Sequence, residues 1–287
     1  MVTVEIKKKI IRLYIKILEY LYLPYFFYKI IFTRKSNFMI KPLRGFFDSS
    51  NDRLRYEAME KCLNKQIDNY LLNCEKTSRP PFVFLEVGSY IGTSFIFFHK
   101  ILESRLKNNY LMISVDPFEN TVPADEKEWG VKFMGSSVNK IYFYFLYNLS
   151  RQSNYKNFIH IRRKSIEAVN IVRKLGPLDF AYIDGSHYYK SVYDDVENYF
   201  KLLVNEKDYK GIISGDDLEL TCEDIVNLDP NINNVSDFED FINKFSNTID
   251  QTLHMQQRFH PGVTKALHLF TKKNKLNIKT SNGFWYL

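Results

Sequence analysis

Between Leu178 and Leu218 two short apolar runs flank an amphipathic stretch, and each run ends in acids. The first, Leu178-Asp179-Phe180-Ala181-Tyr182-Ile183, leads into Asp184-Gly185-Ser186-His187. The second, Gly211-Ile212-Ile213-Ser214, leads into Gly215-Asp216-Asp217. Both runs have strand length and the stretch between them has crossover length, so the pattern predicts a βαβ unit with parallel strands. Parallel strands bring the two acid clusters to one carboxyl edge, where open α/β sheets bind ligands.

The flanking sequence repeats the alternation. Helix is expected over Leu54 to Leu72, stopped by Arg79-Pro80-Pro81, then strand from Phe82 to Val87 and helix from Thr93 to Leu106. A strand from Leu111 to Val115 ends in Asp116-Pro117, and helix is expected over Ile141 to Leu149. Strand Phe158 to Arg162, helix Ile166 to Lys174, strand Asp179 to Ile183, helix Ser191 to Val204 and strand Gly211 to Ser214 complete the series. The expected fold class is therefore α/β, a Rossmann-like, doubly wound, mostly parallel sheet. The 42 residues from Glu219 to His260 show no strand pattern; helix is expected over Asp237 to His254, and the segment has the length of a lid or interface. A helix over Val263 to Phe270 precedes two β-prone runs, Leu276 to Thr280 and Phe284 to Leu287, joined through Asn282-Gly283, a hairpin signal.

Charge divides the chain unevenly. Residues 1–44 carry ten Lys or Arg against Glu5 and Glu19, whereas residues 45–287 carry 30 basic and 31 acidic side chains. The neutral body argues against a phosphate-tracking groove, so no nucleic-acid partner is expected despite the net charge of +7. Ile6, Ile10, Leu13, Ile17 and Leu21 recur at helical spacing with basic residues opposite, the pattern of a helix that lies in a membrane interface or packs on the body or a second subunit. The chain is accordingly divided into a basic amphipathic extension, 1–44, for which peripheral membrane contact through 1–33 is one of these readings, and a domain, 45–287, carrying the 219–260 insertion. Lys16 and Glu19 interrupt any apolar signal region, and Pro24 breaks the longest uncharged run, too short to span a bilayer. Cys62, Cys74 and Cys222 have no paired spacing, so a reducing, cytoplasmic compartment is expected.

Two chemistries share the predicted edge. At the first strand, Glu86-Val87-Gly88-Ser89-Tyr90-Ile91-Gly92-Thr93 passes directly into a helix, and Asp116 ends the second strand, placed to accept hydrogen bonds from ribose hydroxyls. Gly88 and Gly92 are four apart, which does not fit the dinucleotide Gly-x-Gly-x-x-Gly spacing. At the later strands Asp184, Asp216 and Asp217 are hard oxygen ligands suited to Mg²⁺, and His187 titrates where a general base is useful. Taken singly, each acid reads better as a turn or cap and a lone histidine as structural; it is their gathering at one edge that favours a site.

The glycine turn and its two acids resemble the class I S-adenosylmethionine-dependent methyltransferases, whose first motif reads acid-x-Gly-x-x-x-Gly. That resemblance implies an S-adenosylmethionine site formed by Glu86, Gly88, Ser89, Gly92, Thr93 and Asp116, with Lys164-Ser165 near the adenine, and an antiparallel last strand in a seven-stranded sheet. The run from Tyr182 to Tyr189, followed by Gly211 to Asp217, resembles the metal-dependent macrolide-sugar O-methyltransferases and the cephalosporin-hydroxylase-like proteins, and more distantly the catechol O-methyltransferases. It implies Asp184, Asp216 and Asp217 as Mg²⁺ ligands and Asp184 and His187 as catalytic residues, with a sugar, glycan or vicinal-diol hydroxyl as acceptor. The first member of the acid pair is often Glu in that subgroup and is Asp216 here. His254, Arg258 and His260 lie in or beside the insertion, where they read first as a solvated lid surface and second as acceptor contacts, and Tyr188 and Tyr189 could stack on a sugar ring or pack in the core. The alternatives are a membrane-associated adapter that kept the fold without catalysis and, behind it, a nucleic-acid methyltransferase; a homo-oligomer also fits.

Overall fold

The computed structural model describes residues 50–74, 79–118, 138–245, 248, 251–253 and 257–287. The basic extension and His254 lie outside the described residues. In chain order the elements are α1 (Ser50–Cys74), β1 (Phe82–Val87), α2 (Thr93–Leu106), β2 (Tyr110–Val115), α3 (Val138–Ser150), β3 (Phe158–Ile161), α4 (Ser165–Leu175), β4 (Phe180–Ile183), α5 (Tyr189–Phe200) and β5 (Ile212–Leu218). The insertion follows with α6 (Cys222–Leu228), α7 (Val235–Phe245), β6 (Gln251–Thr252) and β7 (Arg258–Phe259), and the chain closes with α8 (Pro261–Asn274), β8 (Lys279–Ser281) and β9 (Gly283–Tyr286).

The main sheet has seven strands in the order β3-β2-β1-β4-β5-β9-β8. Strands β1 to β5 pair in parallel, and β9 runs antiparallel to β5. Strand order reverses between β1 and β4, so the crevice beyond their carboxyl ends is where such a sheet takes its ligand. Alternation along each strand sorts side chains onto two faces. Phe82, Phe84, Met112, Phe180, Tyr182 and Phe284 pack with α1, α2 and α3, while Val83, Leu85, Val87, Ile113, Ala181, Ile213 and Trp285 pack with α4, α5 and α8. Asn282 and Gly283, both at positive φ, make the closing hairpin turn, as the Asn-Gly pair requires.

Three expectations are corrected. Strand β5 does not stop at Ser214 but runs to Leu218, with a register shift after Gly215, so Asp216 and Asp217 lie within an irregular strand. Helix α5 ends at Phe200, and Leu203 instead bridges Leu178 in parallel. The insertion, expected to lack strands, contains the β6–β7 pair, and its second helix ends at Phe245 rather than His254. It has its own small core of Leu220, Ile225, Ile232, Phe238, Ile242, Leu253 and Phe259. Two-residue strands are too short to show alternation, so sequence pattern gives them no signal. Among the described residues no helix is long and apolar enough to cross a membrane.

Candidate active site

The turn after β1 is built around Gly88, at φ +89, where a Cβ would lie 1.9 Å from the Asp184 carbonyl oxygen. Only glycine lets the ends of β1 and β4 come this close, and that contact joins the two halves of the edge. Gly92, at φ +84, precedes α2, and its N–H donates to the Ser89 carbonyl (2.7 Å). Ser89 and Ser114 hydroxyls meet at 2.7 Å beneath the turn. Asp116, beyond β2, accepts from the backbone N–H groups of Tyr90 (2.9 Å) and Phe118 (2.7 Å). Desolvation raises the Asp116 pKa against these bonds.

Glu86 lies in β1 and is fully buried. The Ser94 hydroxyl donates to its Oε1 at 2.6 Å, while Oε2 has no hydrogen-bond partner among the described residues. Burial pushes its carboxyl up to about 7. A buried carboxylate oxygen left unpartnered is costly unless a ligand completes it. The ammonium of an aminoacyl-type cofactor would do so, and with the Gly88 turn and Asp116 these residues fit S-adenosylmethionine. Thr93 opens α2, and Ser165 opens α4 at the carboxyl end of β3, its carbonyl accepting from Tyr199 Oη (2.8 Å). The expected cofactor residues therefore lie along one sheet edge.

At the other half, the alternation of β5 separates the acid pair. Asp216 turns toward α1, where Arg55 Nη1 lies 2.9 Å from Oδ2. Tyr182 Oη also donates to that oxygen (3.3 Å), and the Asp217 N–H donates to Oδ1 (2.9 Å). Burial, with the charge of Asp217, pushes Asp216 up to about 6 against the pull of Arg55. Asp217, at φ +64, turns toward α8 instead. Its Oδ2 lies 2.8 Å from His187 Nε2. Desolvation opposes its ionisation, but the His187 hydrogen bond and charge, with His260 and Arg55, hold it at about 2. Asp184 is raised well above the ordinary carboxylate range by desolvation and by Asp217, Asp216 and Glu86.

His260 was reached from the sequence only as a candidate acceptor contact, yet it sits at the centre of this half. Its ring lies 4.4 Å from that of His187, and its Nδ1 contacts Glu219 Oε1 at 2.9 Å. Arg55 and Glu219 were missed altogether; an arginine in the first turns of a preceding helix carries no motif. Tyr189 takes the packing role, with Lys265 Nζ 4.2 Å above its ring. Arg258 lies in β7 and is exposed.

The expected Mg²⁺ ligand set is not the one brought together. Both Asp216 oxygens are engaged by internal donors, and the donor atoms that lie within 4.8 Å of one another belong to His187, Asp217 and His260. Two imidazoles and one carboxylate suit a borderline transition metal better than Mg²⁺, which prefers an all-oxygen octahedron. The described residues thus do not fit a Mg²⁺ ion held by Asp184, Asp216 and Asp217.

Residues 85–218, from the middle of β1 to the end of β5, match the family described as Methyltransferase domain. The match is confined to that segment, and the seven-stranded sheet around it has the class I methyltransferase fold. Among solved structures the chain is similar to the calicheamicin methyltransferase CalS11, at 12% identity and TM-score 0.51, covering 90% of this chain and 88% of that one. A second CalS11 structure, described as a TDP-rhamnose 3'-O-methyltransferase, aligns at 12% identity and TM-score 0.47 over 90% and 89% of the two chains. The O-methyltransferase NovP aligns at 13% identity and TM-score 0.46 over 81% and 78%. At these identities the likeness is one of fold. No curated protein sequence matches this chain.

Proposed function

We propose that the protein is an S-adenosylmethionine-dependent O-methyltransferase acting on a hydroxyl of a sugar, glycan or other vicinal-diol acceptor. The observation that carries this reading is the His187–Asp217 pair, 2.8 Å apart, on the same sheet edge as the glycine turn and the buried Glu86. The bound cofactor supplies an electrophilic methyl group on its sulfonium. Glu86 and Asp116 would hold its polar groups, and the Gly88 to Thr93 turn would let it approach the backbone.

His187 Nε2 pairs with Asp217 Oδ2 at 2.8 Å, which orients the imidazole that takes the proton. The acceptor hydroxyl gives its proton to the His187 imidazole, and ionised Asp217 stabilises the imidazolium that forms, as in other His–carboxylate pairs. His260, held by Glu219, lines the same approach. The CalS11 description as a TDP-rhamnose 3'-O-methyltransferase agrees with a sugar acceptor. No step of this scheme passes through a divalent cation.

The test is release of S-adenosylhomocysteine by the full chain across sugar nucleotides and free diol sugars. Turnover is expected with at least one diol acceptor. Asp217→Asn, which keeps a residue tolerant of positive φ, should lower turnover by about 10²- to 10⁴-fold while leaving cofactor affinity nearly unchanged. Absence of cofactor binding, or undiminished turnover in D217N, would defeat the proposal.

A further inference from the structure

The reaction edge gathers Asp184, Asp216 and Asp217 with Glu86 behind them, yet its charge is met from within the chain. Asp217 is paired with His187, its Oδ2 2.8 Å from Nε2. Asp216 is met by Arg55, in an ion pair whose side chains are 21% and 9% exposed. The Asp216 carboxylate meets three protein donors, Arg55 Nη1, Tyr182 Oη and the Asp217 N–H. Arg55 is fixed in turn by α1, whose Tyr56 ring meets Phe97 of α2 edge-on at 4.8 Å, and whose Met59, Leu63 and Ile67 are buried in the core. A guanidinium so placed is a permanent cation that cannot lose its proton.

We propose that Arg55 is the resident cation of this edge: its guanidinium holds Asp216 and closes the carboxylate set, so that the protein takes no Mg²⁺ at Asp216. Magnesium demands near-ideal octahedral oxygen geometry and gives up its waters reluctantly, so it cannot share an oxygen already engaged by a fixed guanidinium. Breaking a largely buried ion pair by introducing a competitor also leaves one charge without compensation. Arg55 is thus a positioning residue, acting on the reaction edge through Asp216. The inference concerns the edge itself and holds whatever the acceptor.

The experiment is calorimetric titration of the full chain with MgCl₂ and MnCl₂, in wild type, Asp216→Asn, Arg55→Met, Arg55→Lys and the Arg55→Met/Asp216→Asn double variant. Mn²⁺ reports binding at the imidazole group as well, and the D216N comparison separates the two places. In wild type, D216N should leave the affinity for both ions unchanged. R55M should bind Mn²⁺ at least tenfold more tightly than wild type, the double variant should lose that gain, and R55K, which keeps the charge, should behave as wild type. The inference is overturned if D216N weakens wild-type Mg²⁺ binding tenfold or more, or if a folded R55M gains less than tenfold. Should R55M fail to fold, the wild-type, D216N and R55K arms still decide. S-adenosylmethionine titrated into the same samples reports the proposed function separately.

Discussion

At the scale of single residues, Glu86 is an acid whose ionisation the fold opposes. Its carboxyl is fully buried and pushed up to about 7 by desolvation, against hydrogen bonds from Ser94 and Ser89. The folded protein therefore keeps this proton at a pH where the unfolded chain has released it. Stability associated with Glu86 is complete below the ordinary carboxylate range and is lost as pH rises through it toward about 7. The shift corresponds to about 3 kcal/mol. Glu86→Gln removes the ionisation, so thermal melts without cofactor should show a flatter decline between weakly acidic and neutral pH, and a higher melting temperature than wild type at pH near 8. Equal pH slopes for the two proteins would show that Glu86 is not the source. The same substitution should weaken S-adenosylmethionine binding, because an amide cannot complement an ammonium as a carboxylate does.

At the scale of elements, β1 and α2 fall where the sequence places them, because Phe82 to Val87 and Thr93 to Leu106 are long regular patterns bounded by Pro81 and by Gly92. The acids were visible for the same reason: they follow apolar runs of strand length. What could not be read was their grouping. The irregularity after Gly215 and the positive φ of Asp217 send two adjacent carboxylates to different partners, and a linear pattern does not encode that divergence. Nor could it show Arg55, since the ion pair spans 161 positions between α1 and β5. Helix α8 makes a further contact of this kind. At Gly262 a Cβ would lie 2.1 Å from the His187 carbonyl oxygen and 2.5 Å from the Tyr189 N atom. Gly262→Ala should force the His187 loop aside, lowering turnover and the melting temperature while leaving cofactor affinity within about twofold. Parallel assays of methyl transfer and cofactor titration check this, and wild-type turnover in G262A would mean the loop does not depend on α8.

At the scale of the whole molecule, charge and chemistry are segregated. The body is nearly neutral, and the basic excess lies in residues 1–44. If that excess serves a membrane surface, full-length protein should sediment with anionic vesicles in a salt-sensitive manner, and a variant beginning at residue 45 should not; equal sedimentation of both would remove the membrane role. The contact at Gly262 bears on how the edge of the sheet is held together. The matched segment ends with β5, yet the backbone on which His187 rides is propped by a glycine 44 residues farther on, and His260 arrives from the same later stretch. A segment ending at β5, moved alone into another sheet, would keep its glycine turn but leave the His187 backbone without the close approach of α8.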